Sequence, residues 1–136
     1  MNVSEVWIIN ESGLCLFNYA PEYKLDPQIF GGFMTAIHQF GEIYSNESLK
    51  SIKFNEGLLV FQKYPELKIL VIGRTKSLSN EKDFLRILNY IYEKFKKKYS
   101  KDKILNWEGD TSEFEDFTDD LKEIFEDKII KTRNIW

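Results

Sequence analysis

The sequence predicts an α+β domain with a five-stranded, mainly antiparallel sheet in the order 2-1-5-4-3. We expect one helix on one face of this sheet and two C-terminal helices on the other. The predicted elements follow one another as ββαβββαα. Two apolar runs without alternation, Val6–Ile9 and Ile69–Ile72, indicate strands covered on both faces and therefore central. The segment Leu49–Phe54 alternates between apolar and polar residues, which is typical of an edge strand.

The first two strands are predicted to form a hairpin. The runs Val6–Ile9 and Leu14–Tyr19 are separated by Asn10–Gly13, with Asn at the start and Gly at the end, which suits a reverse turn. Cys15 lies within the second strand pattern, so we expect it to be a buried small hydrophobe rather than a nucleophile.

The first helix is predicted to begin after Asp26, which can cap it, with Pro27 at the first helical position, and to continue to Tyr44. One apolar face, expected to cover the sheet, contains Ile29, Phe33, Ala36, Ile37, Phe40, Ile43 and Tyr44.

The remaining apolar positions of the first helix are interpreted first as core, with a protein interface as the alternative that the breadth of the apolar face raises. Phe30 and Met34 lie beside the apolar face and widen it, while His38 lies about opposite and is expected at the surface. Gly31 and Gly32 each cost about 1 kcal/mol relative to Ala inside a helix. That cost is tolerable if another backbone approaches closely there.

Two further helices follow the three-strand meander that ends at Gly73. Ser79 or Asn80 can cap the first of them, whose apolar stripe consists of Phe84, Leu88, Ile91, Tyr92, Phe95 and Tyr99. Thr111 or Ser112 is predicted to cap the last helix. Its apolar side contains Phe114, Phe117, Leu121, Ile124 and Phe125.

Length and composition indicate one domain, and the lone cysteine fits a reducing compartment, with a Cys-poor secreted protein as the alternative. We expect a domain over residues 1–127 and a C-terminal tail over 128–136. The net charge of −3 gives no overall attraction to nucleic acid or anionic lipid. A lone cysteine, no apparent signal peptide and no apolar run of roughly 20 residues predict a cytoplasmic protein without direct membrane insertion.

No residue pattern predicts catalysis, a cofactor or a metal. One His and one Cys cannot form a structural zinc site, and the acidic residues of 110–116 lack the spacing and glycine of a calcium loop. No phosphate-binding glycine loop is present. The lysines of 94–103 are interpreted as a charge cluster at a helix end. We therefore expect no enzyme and no nucleic-acid partner.

At this level the chain resembles the longin-like superfamily, the SNARE-like fold shared with roadblock domains. The resemblance spans residues 3–125. It depends on the hairpin Val6–Phe17 with Glu11–Leu14, the helix Pro27–Tyr44, the meander Leu49–Gly73 and the long helix from Asn80. The resemblance implies a non-enzymatic domain that dimerises, binds small GTPases or builds membrane-trafficking complexes. It also implies a location at membranes only through a partner.

The leading hypothesis is therefore a protein-interaction module, forming a homodimer or heterodimer and regulating a small GTPase or a vesicle-trafficking complex. The interface is predicted on the first helix and the neighbouring second strand, at Phe17, Tyr19, Phe30, Gly31, Met34 and His38. One alternative is a small-molecule sensor, which would need a roomy pocket with convergent polar groups. Another is a hydrolase, which would need a facing carboxylate pair in a cleft.

Overall fold

The computed structural model describes residues 3–21, 25–76 and 81–126. The strands are β1 (Val3–Asn10), β2 (Cys15–Tyr19), β3 (Ser51–Phe54), β4 (Gly57–Tyr64) and β5 (Ile69–Thr75). The helices are α1 (Pro27–Ser45), α2 (Glu81–Lys98), α3 (Lys101–Leu105) and α4 (Phe117–Glu126), with a 3₁₀ turn at Thr111–Phe114.

The five strands form one sheet in the order β2-β1-β5-β4-β3, and every neighbouring pair is antiparallel. The two unbroken apolar runs pair directly in the centre, with Trp7 opposite Ile72 and Ile8 opposite Val71. The predicted order and the central position of β1 and β5 are confirmed. The hairpin turn is also as predicted, since the Asn10 side chain accepts hydrogen bonds from the backbone of Ser12 and Leu14, both at 3.0 Å.

One face of the sheet is covered by α2 and α4. The predicted stripe of α2 is buried along its whole length. A Cβ atom added at Gly73 would lie 2.7 Å from Leu88 and 2.8 Å from Phe84, so the helix packs directly on the backbone of β5. The ring of Phe117 meets Phe95 at 5.1 Å and Phe17 at 5.2 Å, which joins α4 to both α2 and the sheet.

The opposite face is covered by α1. Its core contains Trp7, Ile9 and Cys15 from the hairpin and four residues of β4 and β5, namely Leu59, Phe61, Leu70 and Ile72. One helix therefore lies on one face and the C-terminal helices lie on the other, as predicted.

The C-terminal region differs from the prediction in its local structure. The last helix is preceded by α3 and the 3₁₀ turn and begins only at Phe117, so Thr111 and Ser112 lie within the 3₁₀ turn, which Asp110 caps. The Asp110 carboxylate accepts hydrogen bonds from the backbone of Ser112 at 3.0 Å and from its hydroxyl at 2.6 Å, which closes the tight turn before α4 begins. The predicted cap of α2 at Ser79 or Asn80, the boundary at 127 and the tail 128–136 lie outside the described residues.

Candidate interaction surface

Capping residues define both ends of helix α1. The Asp26 carboxylate accepts hydrogen bonds from the backbone of Gln28 at 2.8 Å and of Ile29 at 3.4 Å, and Pro27 occupies the first turn. Asn46 adopts a left-handed conformation with φ of 60°, and its backbone N–H donates to the backbone carbonyl oxygen of Glu42 at 2.9 Å. These caps confirm the predicted start and fix the length of the helix.

The inner face of α1 packs closely on the hairpin. The ring of Phe30 stacks on Trp7 with centroids 3.9 Å apart. A Cβ atom at Gly31 would lie 2.6 Å from the carbonyl oxygen of Gly13, so helix and turn meet backbone to backbone. The Gln28 side chain accepts from the Cys15 N–H at 2.8 Å and donates to its carbonyl at 3.1 Å. These contacts fix the rotation of the helix about its own axis.

The prediction that this apolar face of α1 covers the sheet is wrong, because most of its residues point away from the sheet. The exposed fractions are 64% for Ile29, 62% for Phe33, 65% for Phe40, 83% for Ile43 and 80% for Tyr44. Ala36 is exposed as well, and a Cβ atom at Gly32 would meet nothing within 4 Å. We call these seven residues the outer face of α1. Among the predicted core residues of this helix, Ile37 alone is partly buried against the sheet.

The six predicted interface residues do not form one surface. Phe30, Gly31, Met34 and His38 are buried under α1, on the inner face. Phe17 and Tyr19 pack on the other side of the sheet, where Phe17 contacts Phe117 and Tyr19 lies 5.8 Å from Phe125. The four helix residues stack at positions i, i+1, i+4 and i+8, so they follow one another down the face that covers the sheet. These four helix residues belong to the core, and the expectation that His38 is a surface residue is also wrong.

The charge on α1 is confined to one residue. Glu42 is the only ionised side chain between Pro27 and Ser45, and it accepts a hydrogen bond from Lys63 at 3.1 Å. That hydrogen bond holds the pKa of Glu42 below its usual range. The outer face therefore combines exposed aromatic and aliphatic side chains with no charge.

His38 is a buried histidine at the inner edge of the helix. Its Nδ1 lies 3.7 Å from Glu42, its ring stacks at 6.4 Å from Phe61, and its buried Nε2 has no hydrogen-bond partner among the described residues. Burial lowers the pKa of His38, since the charged ring would lose its hydration, although the Glu42 carboxylate opposes this. The imidazole is consequently neutral near pH 7.

A cleft of about 420 Å³ lies between α1 and the two turns at this end of the sheet. Thr35 and Gln39 line one side, and Asn10 and Lys68 line the other. Both lysines of the cleft face carboxylates, Lys63 at 3.1 Å from Glu42 and Lys68 at 3.9 Å from Glu11. The lowered pKa of Glu42 is opposite to that required of a general acid.

The Cys15 thiol and two lysines of the charge cluster are held by burial or by ion pairs in the described part of the chain. Cys15 is buried, as predicted, and burial raises its pKa to about 12, so the thiol stays protonated. In the lysine cluster, Lys96 pairs with Glu66 at 3.1 Å and Lys98 with Asp120 at 2.7 Å. Residues 3–21, 25–76 and 81–126 contain no group of three His, Cys, Asp or Glu side chains arranged for a metal ion. Within the same ranges, no helix has the length and apolarity to cross a membrane.

The strand order and the two helical layers define a roadblock/longin-like fold, as the sequence predicts. The structure is similar to that of MglB from Myxococcus xanthus, with a TM-score of 0.51 over 68% of this chain and 78% of that chain. The two sequences are 8% identical, so the likeness concerns the fold alone. No protein-family model and no curated protein matches the sequence.

Proposed function

We propose that this protein is a non-enzymatic interaction module that dimerises and binds or regulates a small GTPase or a trafficking-type protein complex. The observation that carries the proposal is the outer face of α1, which exposes five large apolar side chains on one helix. Contiguous apolar surface of this kind marks an interaction site in a folded protein.

The chemistry of the outer face fits a protein partner. Phe33, Phe40 and Tyr44 are aromatic, and aromatic anchors dominate the energetics of protein interfaces. Charged residues are depleted at interface centres, and the outer face has none. The interface assigned to the first helix from the sequence is therefore proposed again here, on the opposite side of that helix.

The class of partner is supported by the fold. The chain has the roadblock/longin-like architecture of MglB. The superfamily that it resembles contains domains that bind small GTPases and assemble trafficking complexes. We accordingly propose a cytoplasmic protein that reaches membranes only through such a partner.

Affinity capture from the native cytosol tests this proposal, with GDP or a non-hydrolysable GTP analogue added. We expect wild type to retain a small GTPase in a nucleotide-dependent manner. Phe33→Asp places a charge in the outer face and should lower the retained amount by about tenfold, which corresponds to about 1.4 kcal/mol. Leu105→Asp, at an exposed apolar residue of α3, is the matched control and should bind like wild type. Absence of any small GTPase, or equal capture by both variants, would contradict the proposal.

A second candidate function is small-molecule sensing, which the 420 Å³ cleft favours. Ligand sites usually enclose roughly 300–1,000 Å³ and contain a few convergent polar groups, and Thr35, Gln39 and Asn10 supply such groups here. Mass spectrometry of compounds released from the native protein tests it. A single compound retained by wild type and lost from Thr35→Trp supports a sensor, whereas an empty wild type refutes it.

A further inference from the structure

We propose that the cleft between α1 and the two turns binds a small uncharged compound rich in hydroxyl groups, of the sugar or polyol class, and that one of its hydroxyls donates to Nε2 of His38. This rests on the second proposed function, small-molecule sensing, and names the class of ligand. The support comes from the unpartnered ring nitrogen, the balance of charge in the cleft, and the polar and apolar groups of its walls.

Segments distant in sequence build the cleft, and backbone contacts hold them together. One wall is a single side of α1, whose lining residues are spaced i, i+3, i+4 and i+7, namely Thr35, His38, Gln39 and Glu42. The turns after β1 and β4 form the opposite wall, and the Glu11 N–H donates to the carbonyl oxygen of Lys68 at 3.1 Å between them. The close approach of Gly31 to the Gly13 carbonyl fixes the helix against the first turn. A ligand therefore meets a preformed site.

His38 supplies a buried hydrogen-bonding atom that the described residues leave unsatisfied. The residue is 6% exposed and lines the cleft, and its Nε2 has no partner there. The Glu42 carboxylate, 3.7 Å from Nδ1, favours the neutral tautomer with its proton on Nδ1, so that Nε2 is left as an acceptor. An unpaired buried acceptor is costly. An O–H group of a bound compound removes that cost.

The charges that line the cleft cancel, which favours an uncharged ligand. Lys63 lies 3.1 Å from Glu42, and Lys68 lies 3.9 Å from Glu11. An anion at either lysine has a carboxylate beside it, and a cation at either carboxylate has a lysine beside it. The two ion pairs consequently give no net attraction to a charge of either sign.

The uncharged polar groups of the walls match hydroxyls in particular. A hydroxyl both donates and accepts hydrogen bonds. The cleft offers it the Nε2 acceptor of His38, the Thr35 hydroxyl and the Gln39 amide. The Asn10 carbonyl oxygen already accepts two backbone N–H groups of its own turn, so its NH₂ group is the part that can donate to a ligand. Such a mixture of donors and acceptors suits a compound with several hydroxyls.

An apolar surface accompanies these polar groups in the same cleft. It is contributed by Pro65, Ile69 and Leu70. Sugars and cyclic polyols carry C–H groups on the faces of the ring and hydroxyls at its edge, so one ring can contact both kinds of surface. The cleft volume of about 420 Å³ lies within the usual range of small-molecule sites, roughly 300–1,000 Å³.

NMR spectroscopy of the purified full chain at constant pH tests the proposal with named probes. The uncharged probes are myo-inositol and glucose, the zwitterionic probe is glycine, and the anionic probe is inorganic phosphate. His38 is the only histidine of the chain, so its ring signals need no further assignment. We expect at least one polyhydroxyl probe to shift them saturably, and nitrogen-15 spectra to show an unprotonated Nε2. Glycine and phosphate should leave the ring signals unchanged.

Variants separate binding in the cleft from binding elsewhere, with saturation-transfer NMR observing the probe. Thr35→Trp fills the cleft and should abolish binding. Thr111→Trp makes the same substitution at an exposed threonine of the 3₁₀ turn and should bind like wild type. His38→Phe keeps a ring beside Phe61 but removes Nε2, so binding should weaken about three- to tenfold, the size expected for one neutral hydrogen bond. Circular dichroism checks the fold of each variant, and His38→Phe carries the test if Thr35→Trp does not fold.

Specific outcomes would overturn the proposal. They are a His38 ring that neither polyhydroxyl probe shifts, equal binding by Thr35→Trp and Thr111→Trp, or shifts that never saturate, as expected of an adventitious additive only. Saturable binding of phosphate or glycine that Thr35→Trp abolishes would refute the assigned ligand class and leave the sensor function standing. Saturable cleft binding of myo-inositol or glucose by a protein that releases no compound from its native source would support the site and refute sensing as its native role.

Discussion

Helices α1 and α2 have nearly equal lengths, 19 and 18 residues, but differ sharply in their outward chemistry. Nine residues of α2 are charged, and its apolar stripe is buried, with Leu85 and Tyr90 partly buried beside it. Helix α1 has one charged residue and is apolar on both its inner and outer faces. The pattern of α2 fixes its orientation, whereas α1 could cover the sheet with either face. A helix that is apolar all round is typically buried on all sides, and within this chain α1 is buried on one.

The two faces of the sheet differ in the same way. On one face, α2 and α4 form a layer whose aromatic rings contact each other, with Phe95 touching Phe114 at 5.3 Å and Phe117 at 5.1 Å. On the other face, α1 alone covers the core, and its second apolar face has no partner within the described residues. The α2 and α4 side is therefore a closed core, and we propose that the α1 side continues into an interface.

The largest expected effect is the difference in unfolding free energy between substitutions in the buried core and on the exposed outer face of α1. Phe117 is fully buried between Phe17 and Phe95, so Phe117→Ala should cost about 3–5 kcal/mol of unfolding free energy. Phe33→Ala, on the outer face, should cost less than about 0.5 kcal/mol when measured in dilute monomer. Urea unfolding of both variants measures the difference. A loss under about 1 kcal/mol for Phe117→Ala would show that α4 is not docked.

A smaller effect distinguishes the two adjacent glycines of α1. Gly31→Ala forces a methyl group against the Gly13 carbonyl and should cost about 1–3 kcal/mol. Gly32→Ala adds its methyl group to open space, and the higher helix propensity of alanine should stabilise the monomer by up to about 1 kcal/mol. Thermal unfolding at low protein concentration compares the two. Equal effects would mean that the helix is rotated differently on the sheet.

Sequence patterns correctly predicted the elements that fit in only one way. They failed for the rotation of α1, where two orientations fit the apolar pattern equally well. Continuous apolar runs placed β1 and β5 in the centre, and Asp26 with Pro27 marked the start of α1, as the structure has them. The rotation of α1 could not be read from hydrophobicity, since both faces are apolar. It depends on Gly31 meeting Gly13, a contact between segments distant in sequence. The sequence signal for the buried face was the spacing of Phe30, Met34 and His38, which places them on one side of the helix. That side ends beside Glu42, the one charged residue of α1.

The smallest expected effect concerns the inner edge of α1 and depends on pH. The unfolded chain protonates His38 near pH 6.5, but burial lowers the pKa of His38 in the folded protein. Between these two pKa values the unfolded state binds a proton that the folded state does not. Stability should therefore be complete above about pH 6.5 and fall below it, by up to about 1.4 kcal/mol per pH unit.

His38→Phe removes the group that binds this proton and keeps an aromatic ring beside Phe61. Near pH 7.5 the variant should unfold at a urea concentration similar to wild type, and as the pH falls towards 5 it should become the more stable protein. Glu42→Gln tests the same ring from its other side, because it removes the carboxylate that raises the pKa of His38 and should therefore extend the loss of stability to lower pH. A wild type and a His38→Phe variant whose unfolding curves shift in parallel between pH 7.5 and 5 would show that His38 is not buried as a neutral ring. The inner face of α1 would then be less tightly closed than that of α2.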